Sequence, residues 1–287
     1  MRRSIVALSL AALMLFIWPA TALAATEPRL GTATSFTVLG GAGITNTGPT
    51  TITGDVGTFP TTSETGFGPG ANAVTILAGV NHAGDAVTQG AKNDLVTAYN
   101  DLANQTPCTV QLSGALDSLT LVPGCYKFSS SAILNVGATL TLNGFGVYVF
   151  QIGSSLTIGN GTTVLLTNGA VACGVFWQVT ISATIGTAPA SFQGTLIAGS
   201  DITVTTGAIW TGRALARNGA VTMDTNTITK PPALCAGLPT TTGVVPGNTG
   251  VPLELREQFP WLLLIGVGAG LGAAAMGISR RRRRRRT

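Results

Sequence analysis

From Ala138 onward, apolar and polar residues alternate in short runs: Thr139-Leu140-Thr141-Leu142, Val147-Tyr148-Val149, Ser155-Leu156-Thr157-Ile158 and Thr163-Val164-Leu165. Asn143-Gly144, Gly159-Asn160-Gly161 and Asn168-Gly169 separate them, and the pattern resumes at Val179-Thr180-Ile181, Ile202-Thr203-Val204-Thr205 and Val221-Thr222-Met223. A period of two sends one set of side chains into a core and the other toward solvent, so each run is predicted as a strand. Many short strands joined by tight turns fit a sandwich, a barrel or a solenoid. The outward positions favour the solenoid. Threonine and serine hold them more often than lysine or glutamate, and stacked coils would line such residues up in rows. The repeat is not of constant length, and the glycine-rich calcium-binding nonapeptide of secreted β-solenoids is absent from the sequence.

One segment departs from this period. Val87, Ala91, Leu95, Ala98 and Leu102 recur at three and four residues, with Asp85 near the start and Asn104 near the end. This spacing predicts one helix over about 84 to 104, its apolar stripe laid along the strands as cover for their core.

Composition narrows the function. Only 9% of the chain is charged, where soluble proteins average about a quarter. The formal charge of +5 comes from the ends, because nine of the sixteen basic residues are Arg2, Arg3 and Arg280 to Arg286. Between Thr26 and Ala236, six basic residues against nine acidic ones leave a net charge of −3. Nothing there resembles the basic patch that neutralises nucleic-acid phosphates. The same stretch holds thirty-seven threonines, so hydroxyls and methyls finish most of its surface.

The two ends read as addresses. Arg2 and Arg3 precede an apolar run from Ile5 to Trp18, and Thr21-Ala22-Leu23-Ala24 supplies the small residues of a cleavage site. Residues 1–24 are thus expected to be a signal peptide cut after Ala24. Trp261 to Ser279 is nineteen residues without a charge, preceded by Pro260 and followed by seven arginines. That predicts a transmembrane helix over 261–279 with an arginine-rich cytoplasmic tail at 280–287, leaving the body outside. Gly237 to Pro252 is rich in Gly, Pro and Thr with no hydrophobic period, so residues 237–260 are read as a stalk. Leu238 to Gly243 resembles a Leu-Pro-x-Thr-Gly sorting signal with one residue too many, and membrane retention is expected rather than wall attachment. The expected localisation is a single-pass cell-membrane protein with an extracellular body.

Cys108, Cys125, Cys173 and Cys235 form an even set in an exported chain, where thiols tend to be oxidised. No pair has zinc-knuckle spacing, and His82 is the only histidine, so neither a metal nor another cofactor is expected. Three disulfide connectivities are open. Proximity in sequence favours Cys108 with Cys125, leaving Cys173 with Cys235 to fasten the chain's exit to the body.

Several strings resemble the ice-binding-like family of secreted microbial proteins. They are Leu30 to Phe36, Thr45 to Gly57, Ala98-Tyr99-Asn100-Asp101, Pro123-Gly124-Cys125-Tyr126-Lys127-Phe128, Val149-Phe150-Gln151-Ile152-Gly153, Cys173 to Val179 and Gly212 to Thr222. Together they cover about residues 30 to 232, within a body taken as 26–236. The resemblance implies an irregular right-handed β-solenoid of triangular section, one long helix packed alongside, and adsorption to an ice crystal surface through one flat face. Its Thr-Ala/Gly-x-Thr/Asn motif occurs as Thr47-Gly48-Pro49-Thr50, while Thr97-Ala98-Tyr99-Asn100 falls within the predicted helix. The expected ice-binding residues are Thr47 and Thr50, the outward pairs Thr139/Thr141 and Thr203/Thr205, and Thr180 and Thr222.

Threonine suits such a surface. Its χ1 is stiff, so little rotamer entropy is lost on contact, and its methyl and hydroxyl together order and anchor water. An adhesion protein of the same fold, with a cell-surface or carbohydrate partner in place of ice, is the alternative. A polysaccharide-degrading β-solenoid would need clustered Asp, Lys or Arg, and only Arg213, Arg217 and Asp224 gather in sequence; an ion pair or carbonyl contacts account for them better, and no enzyme is expected. His82 beside Asp85 reads as a polar turn at the helix start, and Phe176-Trp177 as packing. If the ends are read correctly, protease treatment of intact cells releases the body. A body that survives this treatment and is lost only after lysis overturns that topology.

Overall fold

The computed structural model describes residues 25–232 apart from Leu112, Ala188 and Pro189. Residues 1–24, 237–260, 261–279 and 280–287, and Cys235 with them, lie outside the described residues.

The strands pair in parallel, each with the equivalent strand of the next coil. Within one coil the chain crosses three faces in turn. Strand Tyr148–Ile152 lies on the first, Leu156–Ile158 on the second and Thr163–Thr167 on the third, before Val175–Val179 returns to the first. In later coils the strands Ser191–Ala198 and Ile209–Ala216 run without a break from the third face onto the first. They bend at Gly194 and Gly212, which are paired in register. Gly194 has φ +106, and a Cβ on Gly212 would fall on the Gly194 carbonyl, so only glycine lets the two coils stack through this corner.

Chain order and stacking order differ. Strand Phe36–Gly40 pairs with Ile209–Ala216, and Gly43–Asn46 pairs with Ala220–Met223. The two N-terminal coils therefore sit on the C-terminal end of the stack, and the chain must return to the other end to begin Thr109–Gln111, which pairs with Gly124–Phe128. Helix α1, Ala86–Ala103, makes this return. Its 18 residues at about 1.5 Å each span about 27 Å, close to the length of the stack.

The core is two-layered. Inside the coils, Tyr126, Phe150, Trp177, Phe192 and Trp210 form a continuous row of aromatic contacts with successive centroids 5.7, 3.9, 5.2 and 5.1 Å apart, the first two stacked and the last edge-to-face. Outside the first face, Cys125, Val149, Phe176, Ile197, Leu215 and Leu39 pack against Ala91, Leu95, Ala98 and Leu102 of α1. The helix falls within the range expected from its periodicity, with one difference. Val87 is 46% exposed, and Thr88 is buried instead, its hydroxyl donating to His82 O and its amide to the Asp85 N-cap. The turn expected at His82 is present, with Nδ1 2.7 Å from the Asp85 carboxylate.

Buried polar groups on the covered face lock the helix down by bonding backbone carbonyls. Gln151 Nε2 donates to Leu102 O and Gln105 O at 2.8 and 3.0 Å, satisfying carbonyls at the helix end. Lys92 Nζ donates to Ala216 O at 2.6 Å and to Arg217 O. Cys108 and Cys125 are disulfide-bonded, tying the chain leaving α1 to the covered face. Cys173 is disulfide-bonded as well; the partner expected for it, Cys235, lies outside the described residues.

Burial, and secondarily Arg217, pushes the Lys92 ammonium down to about 8. Lys92→Met keeps the apolar stem and removes both hydrogen bonds, the one to Ala216 O buried, and is expected to cost about 1–3 kcal/mol. The unfolded chain holds this proton up to its ordinary value of 10.5, so between about 8 and that value it binds more protons than the folded one. The wild type's advantage over Lys92→Met accordingly grows as pH rises through this window. Urea denaturation of both proteins at pH 7 and pH 10 measures it.

Candidate functional site

With the first face under α1, two faces remain open. The third, broad face carries two outward residues per strand. Register places Thr139, Thr163, Ser191, Ile209, Thr227, Thr51 and Thr75 in one row. The second row comprises Thr120, Thr141 and Leu165, then Gln193, Thr211, Thr229, Thr53 and Leu77. Ten of these fifteen residues are threonine and none is charged. Coils repeat at about 4.7 Å and outward side chains along a strand at about 6.6 Å, so the eight coils give a two-row grid about 33 Å long. Ile209, Leu77 and Leu165 stand within it exposed by 52, 48 and 44%, so the surface is apolar as well as hydroxylated.

The second, narrow face presents one outward residue per strand. Ile133, Thr157, Thr184, Thr203, Thr222, Thr45 and Thr65 align in a single row. Charges near it stand at its margins and are engaged there. Asp201 Oδ1 accepts from the Ala220 amide at 2.8 Å. Asp224 accepts from Thr206 and Thr225, and these two bonds hold its carboxyl below the usual range.

Hydroxyl use separates face residues from corner residues. Among the described residues, the hydroxyls of Thr139, Thr141, Thr163, Thr211, Thr227 and Thr229 make no intramolecular hydrogen bond, nor do those of the six narrow-face threonines. Such groups are free to bond water. Corner threonines are spent on the fold: Thr180 donates to Ile152 O and Thr205 to Ile185 O, at 2.8 and 2.9 Å. Thr47 is exposed between the narrow and broad faces, with Met223 O 3.5 Å from its hydroxyl.

The structure therefore divides the residues expected from sequence. Thr139 and Thr141 lie in adjacent rows of the broad face, Thr203 and Thr222 in the narrow-face row, and Thr47, Thr180 and Thr205 at corners. Thr50 corrects an expectation: it is fully buried, and its Oγ1 accepts from the Asn226 amide at 3.0 Å, so it faces the next coil rather than solvent. Sequence reading missed most of the rows, including Thr163, Thr211, Thr227, Thr51, Thr157, Thr184 and Thr45. A signal for the narrow row exists in the apolar-Thr-apolar triads Leu156-Thr157-Ile158, Ala183-Thr184-Ile185, Ile202-Thr203-Val204 and Val221-Thr222-Met223.

The arginine and acid residues considered for sugar chemistry do not come together. Arg213 is buried on the covered face, donating to Thr34 O and Thr195 Oγ1 at 3.2 and 3.1 Å. Arg217 lies 4.3 Å over the Tyr99 ring, while Asp224 stands beside the narrow face. Trp177 is packed in the aromatic stack and Phe176 under the helix. Among the described residues, no group of three His, Cys, Asp or Glu side chains is placed to hold a metal ion.

These features define a class: a three-sided parallel β-solenoid, one face covered by a helix and the others, among the described residues, open and rich in threonine. Residues 38–229 match the ice-binding-like family, and the chain belongs to it. It is 46% identical over 231 residues to an ice-binding protein of Nostoc sp. (strain HG1), covering 78% of this chain and 81% of that one. An ice-binding protein of Colwellia sp. is 37% identical over 215 residues, covering 71 and 83%. Among solved structures, an ice-binding protein from an Antarctic biological consortium superposes with a TM-score of 0.68 at 45% identity, over 75% of this chain and 96% of that one. A domain of Shewanella frigidimarina ice-binding protein 1 gives 0.65 at 33% identity, over 73 and 100%.

The hydroxyl distinction has a direct test in stability. Thr50→Val strands the buried Asn226 amide and is expected to cost about 1–3 kcal/mol. Thr203→Val removes a hydroxyl with no protein partner and should stay within about 0.5 kcal/mol of wild type. Equal effects in chemical denaturation would show that the hydroxyls are not partitioned in this way.

Proposed function

We propose that the protein adsorbs to ice through the broad face. The observation that carries this reading is the two-row, charge-free grid extending over the coils, with threonine hydroxyls that have no protein partner. Water held by such a surface is ordered in two dimensions: the backbone ladder fixes the spacing, and stiff χ1 rotamers fix the methyls and hydroxyls. Lysines or glutamates in the same places would move and pull water into hydration shells of their own. Adsorption supports ice adhesion when the protein is tethered and restraint of crystal regrowth when crystals are small. The apolar stretch 261–279 and the seven arginines after it support a membrane-anchored form with the body outside and the C-terminus in the cytoplasm.

Because adsorption needs a matching area, a protrusion should do more harm than a deletion. Thr211 lies mid-stack between Gln193 and Thr229. Thr211→Tyr is expected to lose ice faceting while keeping its melting temperature, and Thr211→Ala to lose only part of it. Full faceting by a folded Thr211→Tyr protein would remove the broad face from the proposal.

A further inference from the structure

The two rows of the broad face are not uniform along the stack. Toward the end formed by the N-terminal coils the threonines run without interruption, Thr211, Thr229 and Thr53 in one row and Thr227, Thr51 and Thr75 in the other. None of these six hydroxyls has a partner among the described residues, whereas the corner threonines Thr50 and Thr205 do. At about 4.7 Å per coil the block spans four strands and about 14 Å. Toward the other end Thr120, Thr139, Thr141 and Thr163 form a smaller group. Between the two lies a diagonal band of Leu165, Ser191, Gln193 and Ile209. Gln193 is the longest side chain in the band. Its backbone is pinned from inside the coil, where Trp177 Nε1 donates to Gln193 O and Trp210 Nε1 to Gly194 O, both at 2.9 Å. The side chain itself does not join coils. Among the described residues its one hydrogen bond runs from Nε2 to Ser191 Oγ on the same strand, at 3.4 Å.

We infer that Gln193 limits adsorption by the broad face, dividing its grid so that ice registers with the six-threonine block alone. This rests on the reading of the broad face as the adsorbing surface. Gln193 projects from a strand that cannot withdraw, and it carries a flexible amide into a surface otherwise built of short, stiff groups. Ordering that side chain costs more rotamer entropy than ordering a threonine, and its amide holds water in directions of its own. A threonine at 193 would follow Thr211 in register and lengthen the row by one coil. Because the glutamine makes no bond between coils, the exchange takes nothing from the fold.

The test measures the lowest concentration of the full-length protein at which a growing ice crystal becomes faceted. Gln193→Thr is expected to shift that concentration below the wild-type value, and Gln193→Ser repeats the arm with a second short side chain. Two deletions locate the contact. Thr53→Ala, inside the block, should shift the concentration upward, and Thr141→Ala, beyond the band, should leave it near wild type. Unchanged melting temperatures certify the folded state of each variant. If neither Gln193→Thr nor Gln193→Ser improves on wild type while Thr211→Tyr no longer facets, the limiting role of Gln193 is overturned and the broad-face reading stands. Equal losses in Thr53→Ala and Thr141→Ala likewise overturn the division of the grid without touching that reading. If Thr211→Tyr, Thr53→Ala and Gln193→Thr all match wild type, the broad face itself is removed and both readings fall.

Discussion

The parallel register between successive coils is the constraint on which the other features depend. Each coil hydrogen-bonds to the next along every face, so a side chain at one position is stacked directly on its counterpart about 4.7 Å away. Inside, this sets Tyr126, Phe150 and Trp177 one on the next along the first face and Phe192 beside Trp210 along the third, and Trp177 meets Phe192 across the core. Outside, it turns isolated threonines into rows. A slip of one residue in any coil would exchange core for surface along that strand, so packing Trp177 and Phe150 correctly and aligning Thr157 with Thr184 are consequences of the same register.

Polarity is distributed to protect that register. The helix-covered face buries Lys92, Arg213 and Gln151, and each bonds a backbone carbonyl. Corners use Thr50, Thr180, Thr205 and Asn226 to join one coil to the next, Asn226 Nδ2 donating to Thr205 O at 2.7 Å. With the fold's hydrogen-bond needs met there, the open faces can leave their hydroxyls for water. Acidic groups stand at the margins, where amides and hydroxyls hold them. The scarcity of charge on the open faces and their unpartnered hydroxyls thus have one structural origin.

How far the sequence could be read depended on the range of the interaction. The alternation at Thr139 to Leu142, the helical stripe from Ala91 to Leu102 and the Asp85 cap are local, and the structure carries all three. Val87 was misplaced because a hydrophobic stripe at a helix start does not reveal that Thr88 bonds back to His82. Thr50 was misplaced for a similar reason. Its motif is local, but its partner Asn226 is 176 residues away. The motif marks a corner, and only the adjoining coil decides which of its threonines turns inward.

The sequence by itself determined the class of fold, the family and helix α1, because these rest on period and contiguous strings. Only the tertiary structure decided which threonines share a face. The narrow-row steps Thr157 to Thr184, Thr184 to Thr203 and Thr203 to Thr222 differ in length, at 27, 19 and 19 residues. The row then continues at Thr45, at the opposite end of the chain. Corner lengths vary freely as long as the ladder closes, and the N-terminal coils dock on the C-terminal ones, so a row continuous in space is broken and uneven in sequence.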